Sequence, residues 1–269
     1  MTDQLRRTKI LATLGPATDG PGVLEALLRA GVDVVRLNFS HGVADDHARR
    51  AGAVRAIAEK LRREVGILAD FQGPKIRVER FADGKVQLRE GDAFTLVCSA
   101  DAPMGDAGQV GMSYLGLVND VHAGDVLLLD DGLIALKVIA IDGVNIRTEV
   151  MTDGVLSDRK GLNRLGGGLS LGALSDKDRA DIVHAAAIGV DFMAISFCRS
   201  AQDMHEARKL AREAGGARIA MVAKIERAEA IENLGEIIDA SDAVMVARGD
   251  LGVEIGDAEL PGLQKKIIR

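Results

Sequence analysis

Short apolar runs alternate along this chain with longer stretches whose apolar residues recur every three or four positions. The runs fall at about 8–14, 32–39, 65–71, 190–197, 218–225 and 243–249. The periodic stretches fall at about 22–30, 45–64, 175–188, 200–214 and 227–240. A strand buried on both faces reads as an unbroken apolar run, whereas a surface helix carries one apolar stripe. The pattern therefore predicts strands separated by helices. Asp19-Gly20-Pro21-Gly22 and Ser175-Asp176-Lys177-Asp178 predict helix starts, because they supply N-cap side chains and early acids. Repeated strand–helix units imply a parallel sheet, either closed into a barrel or wound on both faces.

Between about 74 and 172 the pattern changes to short β segments, at 85–89, 93–98, 125–130, 133–141 and 144–151. They are punctuated by Asp83-Gly84, Asp131-Gly132, Asp142-Gly143 and Asp153-Gly154. Asp-Gly between alternating apolar runs is a strong hairpin signal. The expected organisation is a first α/β part at 1–73, an inserted all-β domain at 74–172, and a second α/β part at 173–269. Gly166-Gly167-Gly168 falls in the return to the second part, or is an ordinary surface loop. Removing the insertion leaves about 170 residues, against about 250 for a (β/α)8 barrel. Six strands would leave such a barrel two βα units short, and the sequence ends inside an apparent helix, Gly262–Arg269. The expectation is a truncated barrel.

Composition narrows the function classes. Of 269 residues, 47% are hydrophobic and 28% charged, as in an ordinary globular protein. A net charge of −6 argues against a general polyanion surface, so any phosphate site must be a local cluster. With 3% aromatic residues and no Trp, a base-stacking nucleic-acid surface is not expected. No 18-residue apolar stretch is present, and the start, Met1 to Thr8, is polar, so neither a membrane span nor a signal peptide is expected. Cys98 and Cys198 stand 100 residues apart without a metal-ligand pattern, which suits reduced thiols in a cytoplasm.

The chemistry gathers where the apolar runs end. Lys224 and Glu226 close the fifth run and project to one side of a strand, with Lys224 one pleat earlier. Asp250 closes the sixth. Arg36, Asn38 and Ser40 share one face at the end of the second, where Arg suits phosphate and the Asn and Ser oxygens suit a hard cation. Asp70 ends the third, followed by a Gly-Pro exit and two cations, Lys75 and Arg77. Gly249 and Gly252 offer backbone N–H groups that an anion can approach closely. Taken alone, the Arg36, Asn38 and Ser40 face reads more readily as a polar strand end, and the Lys224, Glu226 and Asp250 group also as a rim salt bridge. Four strand ends of compatible chemistry point instead to an anionic, phosphorylated substrate held with a divalent cation.

These residues resemble the pyruvate kinase family. Thr8 to Ala17 is similar to that family's first strand. Arg36–Gly42 (RLNFSHG), Asp70–Arg77 (DFQGPKIR), Lys160-Gly161, Lys224-Ile225-Glu226 and Ala247–Glu254 (ARGDLGVE) follow in family order. The resemblance implies a TIM barrel interrupted by a β-barrel lid, transferring phosphoryl from phosphoenolpyruvate to ADP in glycolysis. It implies that Arg36 and Lys224 are catalytic, with Arg36 gripping the phosphate and Lys224 neutralising it in transfer. Gly249 and Asp250 would receive the substrate carboxylate, and Glu226 and Asp250 would hold Mg²⁺ or Mn²⁺. Asn38, His41, Arg77 and Lys160 would contact the nucleotide. Asn38, Ser40, Asp70 and the carbonyl of Phe71 match a monovalent-cation site.

Departures from the family pattern shape further expectations. Lys75 stands where many relatives have Glu in a GPEIR segment; its ammonium near Asp70 would replace K⁺, or it is simply an exposed hinge lysine. The segment with the threonine associated with enolate protonation, and the regulatory C-terminal domain, lie outside the sequence. A homotetramer is implied for the full-length enzyme, and an inactive fragment for this stretch alone. Two other readings are weighed. A magnesium-dependent aldolase or lyase barrel acting on pyruvate-type substrates has no need of Lys224 beside Glu226. A non-catalytic truncated product would keep the ligand sites without turnover.

Overall fold

The computed structural model describes residues 7–269, so most of the polar start, Met1 to Arg6, lies outside the described residues. The chain begins with β1 (Leu11–Leu14), α1 (Val23–Arg29), β2 (Val34–Asn38), α2 (Ala44–Leu61) and β3 (Gly66–Asp70). Short β elements follow: β4 (Lys85–Leu88), β5 (Ala93–Val97) and β6 (Gln109–Gly111). After the one-turn α3 (Leu117–Asp120) come β7 (Val126–Leu129), β8 (Ile134–Asp142), β9 (Asn145–Val150), β10 (Gly154–Ser157) and β11 (Leu162–Arg164). The α/β alternation then resumes with α4 (Asp176–Ala187), β12 (Phe192–Ile195), α5 (Ala201–Glu213) and β13 (Ala220–Ile225). It closes with α6 (Glu229–Glu232), α7 (Leu234–Asp239), β14 (Ala243–Val246), α8 (Arg248–Ile255) and α9 (Leu260–Ile268).

Six strands form one sheet in the order β1-β2-β3-β12-β13-β14. The strands of this sheet follow one another in chain order, β4 to β11 intervening in sequence only, without the order reversal of a doubly wound sheet. This is the winding of a (β/α)8-type barrel, with six strands among the described residues. The parallel register sets Arg36 opposite both Thr13 and Leu68, and Asp70 between Asn38 and Ala194. Polar residues at these strand ends are thereby brought into neighbouring rows. Helix α4 starts where its sequence predicts. Ser175 accepts from the Asp178 N–H, and the Asp178 carboxylate accepts from the Ser175 N–H, a complete capping box. Helix α1 does not use Asp19 as a cap; it starts from Gly22, in the left-handed region at φ 75°. The Asp19 carboxylate instead accepts two hydrogen bonds from Arg50, 2.9 and 2.7 Å.

The β-rich stretch builds a second sheet, β11-β7-β8-β9-β5-β6, beside the two-stranded β10-β4. Phe94, Leu96, Leu127, Leu136, Val138, Ile146 and Leu156 are among the side chains of its core. Two of the four Asp-Gly signals close hairpins, β7–β8 over Asp130-Asp131-Gly132 and β8–β9 over Gly143. Asp83-Gly84 opens β4 from a turn, and Gly154 begins β10, which pairs with β4. Strands β6, β10 and β11 escape the sequence reading because three or four residues carry too little alternation to register.

The sixth apolar run is shorter than its composition suggests. Strand β14 stops at Val246, and the Leu251 N–H reaches the Ala247 carbonyl to start α8, so Asp250 lies in a helical first turn. Asn233 divides the expected helix at 227–240 into α6 and α7.

By internal contacts the chain divides into two compact units. One comprises the chain to Gly73 with Gly172–Lys224 and Asn233–Met245. The other comprises Pro74–Leu171, Ile225–Glu232 and Val246–Arg269. Hydrogen bonds explain why the last two pieces group with the β-rich stretch. Asn163 donates to Glu254, the Gly166 N–H to the Glu254 carbonyl, Arg227 to the Leu169 carbonyl, and the Gly168 N–H to Glu229. Among the described residues no helix is long and apolar enough to cross a membrane.

Candidate active site

In the first unit the strand ends converge on Asp70. Its carboxylate is buried and accepts from Arg36 Nε at 2.6 Å, while Lys224 Nζ lies 3.2 Å from its other oxygen. Arg36 also donates to Thr13 Oγ1 on the neighbouring strand, 3.1 Å. Lys224 donates to Ser196 Oγ at 2.7 Å, and Ser196 donates in turn to the Phe71 carbonyl at 2.6 Å. Two cations from β2 and β13 are thus held beside one buried carboxylate from β3.

The Asn38–Gly42 segment is folded tightly on itself. Ser40 N–H donates to Asn38 Oδ1 at 3.1 Å, and His41 N–H to the Asn38 carbonyl at 3.2 Å. Gly73, at φ +66°, allows the exit from β3, because a Cβ there would meet the Phe197 ring at 2.6 Å and Ser196 Cβ at 2.9 Å. Its N–H is held by Asp178 of α4, 3.1 Å away.

In the second unit Asp250 and Lys75 form an ion pair of 3.4 Å, with Asp131 at 3.8 Å from the same ammonium. These residues, with Gly132, Arg248, Gly249 and Gly252, line a cavity of about 500 Å³. Gly249 lies in the first turn of α8, where N–H groups have no intrahelical acceptor, and a Cβ on it would meet nothing within 4 Å. Glu226 is buried just beyond β13. The turn after it is anchored by Glu254, which accepts from the Ala228 N–H at 2.8 Å and whose pKa burial pushes up. Arg77 and Lys160 lie together, since Arg77 bridges to Gly161. The Arg77 guanidinium donates to the Arg159 carbonyl at 2.8 Å, and Lys160 pairs with Asp130 at 2.7 Å.

The predicted residues therefore fall into two sets. Arg36, Asn38, Ser40, His41, Asp70, Phe71 and Lys224 belong to the first unit, and Lys75, Arg77, Lys160, Glu226, Gly249 and Asp250 to the second. Lys75 takes Asp250 and Asp131, two carboxylates of its own unit, while Asp70 takes Arg36 and Lys224. Ser196 and Thr13 were not singled out from the sequence. Ser196 follows an apolar run just as Asp70 and Lys224 do, and that signal could have found it.

The family described as pyruvate kinase, barrel domain, matches residues 5–269. The chain belongs to the pyruvate kinase family. It is 56% identical to a pyruvate kinase of Haemophilus influenzae over 275 aligned positions, covering all of this chain and 57% of that protein. It is also 56% identical to pyruvate kinase II of Salmonella typhimurium, covering all of this chain and 56% of that protein. Identity to the Geobacillus stearothermophilus pyruvate kinase is 43%, over 98% of this chain and 45% of that protein. The chain thus spans little more than half the length of the first two relatives.

Proposed function

We propose that a protein carrying this chain transfers phosphoryl from phosphoenolpyruvate to ADP, giving pyruvate and ATP, in the cytoplasm. The observation that carries the reading is the Arg36–Asp70–Lys224 cluster at three parallel strand ends. Arg36 is the phosphate grip, because a guanidinium fixed by Asp70 and Thr13 is already oriented for a second, planar partner. Lys224 is the group that neutralises the phosphoryl in flight, and Ser196 holds its ammonium in place. Phosphoryl transfer draws most of its acceleration from such positioning and charge. Asn38, His41, Arg77 and Lys160 are the nucleotide contacts, Gly249 and Asp250 receive the substrate carboxylate, and the full-length assembly is a homotetramer.

The donor set fits a divalent cation. Glu226 and Asp250 are hard oxygen donors, and Lys75 at 3.4 Å already places a positive charge on Asp250. Mg²⁺ is commonly bound by one or two carboxylates plus substrate oxygens and water, so two protein ligands suffice. When bound, the ion would neutralise charge on the substrate oxygens. A requirement for K⁺ at Asn38, Ser40, Asp70 and Phe71 is not expected. Asp70 already lies within 2.6 Å of a guanidinium nitrogen and 3.2 Å of an ammonium, which offset its charge.

The test is Lys224→Met in the full-length protein. Removing a charge used mainly in the transition state should lower kcat on the order of 10²–10³ with little change in KM. A variant with native kcat would refute the assignment. An aldolase or lyase on the same barrel would show carbon–carbon cleavage of a pyruvate-type substrate with no dependence on ADP.

A further inference from the structure

The first unit contains a buried imidazole that the proposed chemistry does not use. His47 lies in the first turn of α2, is 3% exposed, and its Nδ1 has no hydrogen-bond partner. A buried polar atom left unpaired is a cost to folding. Burial and the neighbouring Arg50 push the His47 pKa down, and the His41 backbone opposes that shift. The ring is therefore a neutral, flat plate rather than a charge.

Its main contact is Phe39. The two rings stack with centroids 4.1 Å apart and planes 9° from parallel. Phe39 is the only side chain of Asn38-Phe39-Ser40 that is buried in the core, so its ring is the anchor of that triplet. Phe71 packs edge-on against the same ring at 5.5 Å, and His184 flanks it at 6.2 Å. The Phe39 backbone is tied as well, through its N–H to the Asp70 carbonyl and its carbonyl to Lys177 Nζ. Gly42 closes the segment at φ +81°, and a Cβ on it would lie 3.7 Å from His47 Nε2. His47 thus meets the segment at its buried anchor, and the His41 backbone near its far end bears on the imidazole.

We propose that His47 is a positioning residue: stacked on Phe39, it holds the Asn38–Gly42 segment in the shape that presents Asn38, Ser40 and His41 to their ligands. The use of those three side chains rests on the pyruvate kinase reading, whereas the shape of the segment does not. A plate that only filled space could be replaced by any apolar side chain of similar volume. A plate that orients Phe39 needs a flat face.

His47→Leu and His47→Phe in the full-length protein separate the two. Both fill the site and remove the unpaired nitrogen, and only Phe keeps a flat face. Amide exchange at Phe39, Ser40 and His41 is the direct readout, since all three N–H groups are hydrogen-bonded. A stacked ring pair is worth up to about a tenfold change in an opening equilibrium, so His47→Leu should speed exchange at these amides by up to ~10-fold. His47→Phe should restore exchange to near the native rate. KM for ADP should rise in His47→Leu, with a smaller change in kcat, and return in His47→Phe. Native exchange in His47→Leu, or equal acceleration in both variants, overturns the proposal. Should the unaltered protein bind no phosphoenolpyruvate while exchange follows the expected pattern, the pyruvate kinase reading falls and the positioning role stands.

Discussion

Lys75 and Asp250 lie 3.4 Å apart, ammonium to carboxylate, with Asp131 of the β7–β8 turn 3.8 Å from the same nitrogen. An ammonium in this position competes with any divalent cation for Asp250. Lys75→Met removes the competitor and leaves two carboxylates whose repulsion a metal ion relieves. At 25% exposure the pair is well screened, so the expected gain is only about 1 kcal/mol, or roughly fivefold tighter Mn²⁺. Free Mn²⁺ measured by electron paramagnetic resonance during titration reports it directly. Unchanged or weaker binding would place the metal away from Asp250.

Ser196 links Lys224 to the backbone through hydrogen bonds of 2.7 and 2.6 Å. Ser196→Ala leaves the buried Phe71 carbonyl without this donor and frees the ammonium to swing. Losing one partner of a buried hydrogen bond costs roughly 1–3 kcal/mol, and the stability loss should fall in that range. The kcat should fall about tenfold, a positioning effect smaller than that of Lys224→Met. If Ser196→Ala lowers the melting temperature and leaves kcat native, the serine is only a structural bond.

The strands of the first unit were legible because parallel strands buried on both faces write continuous apolar runs, with polar residues at their ends. Asp70 and Lys224 could be read that way, and their pairing follows from a sheet order the runs cannot specify. Asp250 was legible as a residue and not as a position. Its Gly-rich surroundings hide a helix start that depends on one bond, Leu251 N–H to the Ala247 carbonyl. His47 was not legible at all. On a helical stripe it reads as any core residue, and only the stack on Phe39 gives it meaning.

The cations around Asp70 bear on the monovalent site. With Arg36 and Lys224 beside Asp70, little net negative charge remains there to retain K⁺. The full-length enzyme should therefore be active without added K⁺. The assay replaces sodium and potassium with a bulky organic cation at constant ionic strength. Strong activation of the unaltered enzyme by K⁺ would refute this.

Asp19 offers a test of stability against pH that needs no activity. Its carboxylate accepts from Arg50 Nε and Nη2, and Arg49 lies 3.4 Å away. The hydrogen bonds from Arg50 are the largest cause holding its pKa down at about 2, against an ordinary 3.8. A carboxyl whose folded pKa is depressed stabilises the fold above its unfolded pKa. That contribution fades as pH falls from about 4 towards 2. Asp19 remains partly exposed and the pairs are screened, so the gain is modest, about 1 kcal/mol for bidentate geometry on a nearly buried Arg50. Asp19→Asn should therefore unfold at lower denaturant than the unaltered chain at pH 7 and at pH 5, by similar amounts. The gap should narrow below pH 4 and close near pH 2, where the native carboxyl is itself becoming neutral. Denaturant midpoints at pH 7, 5, 4 and 3 give the comparison. A gap that stays constant down to pH 3 would assign the effect to packing around Arg50 and not to the charge on Asp19.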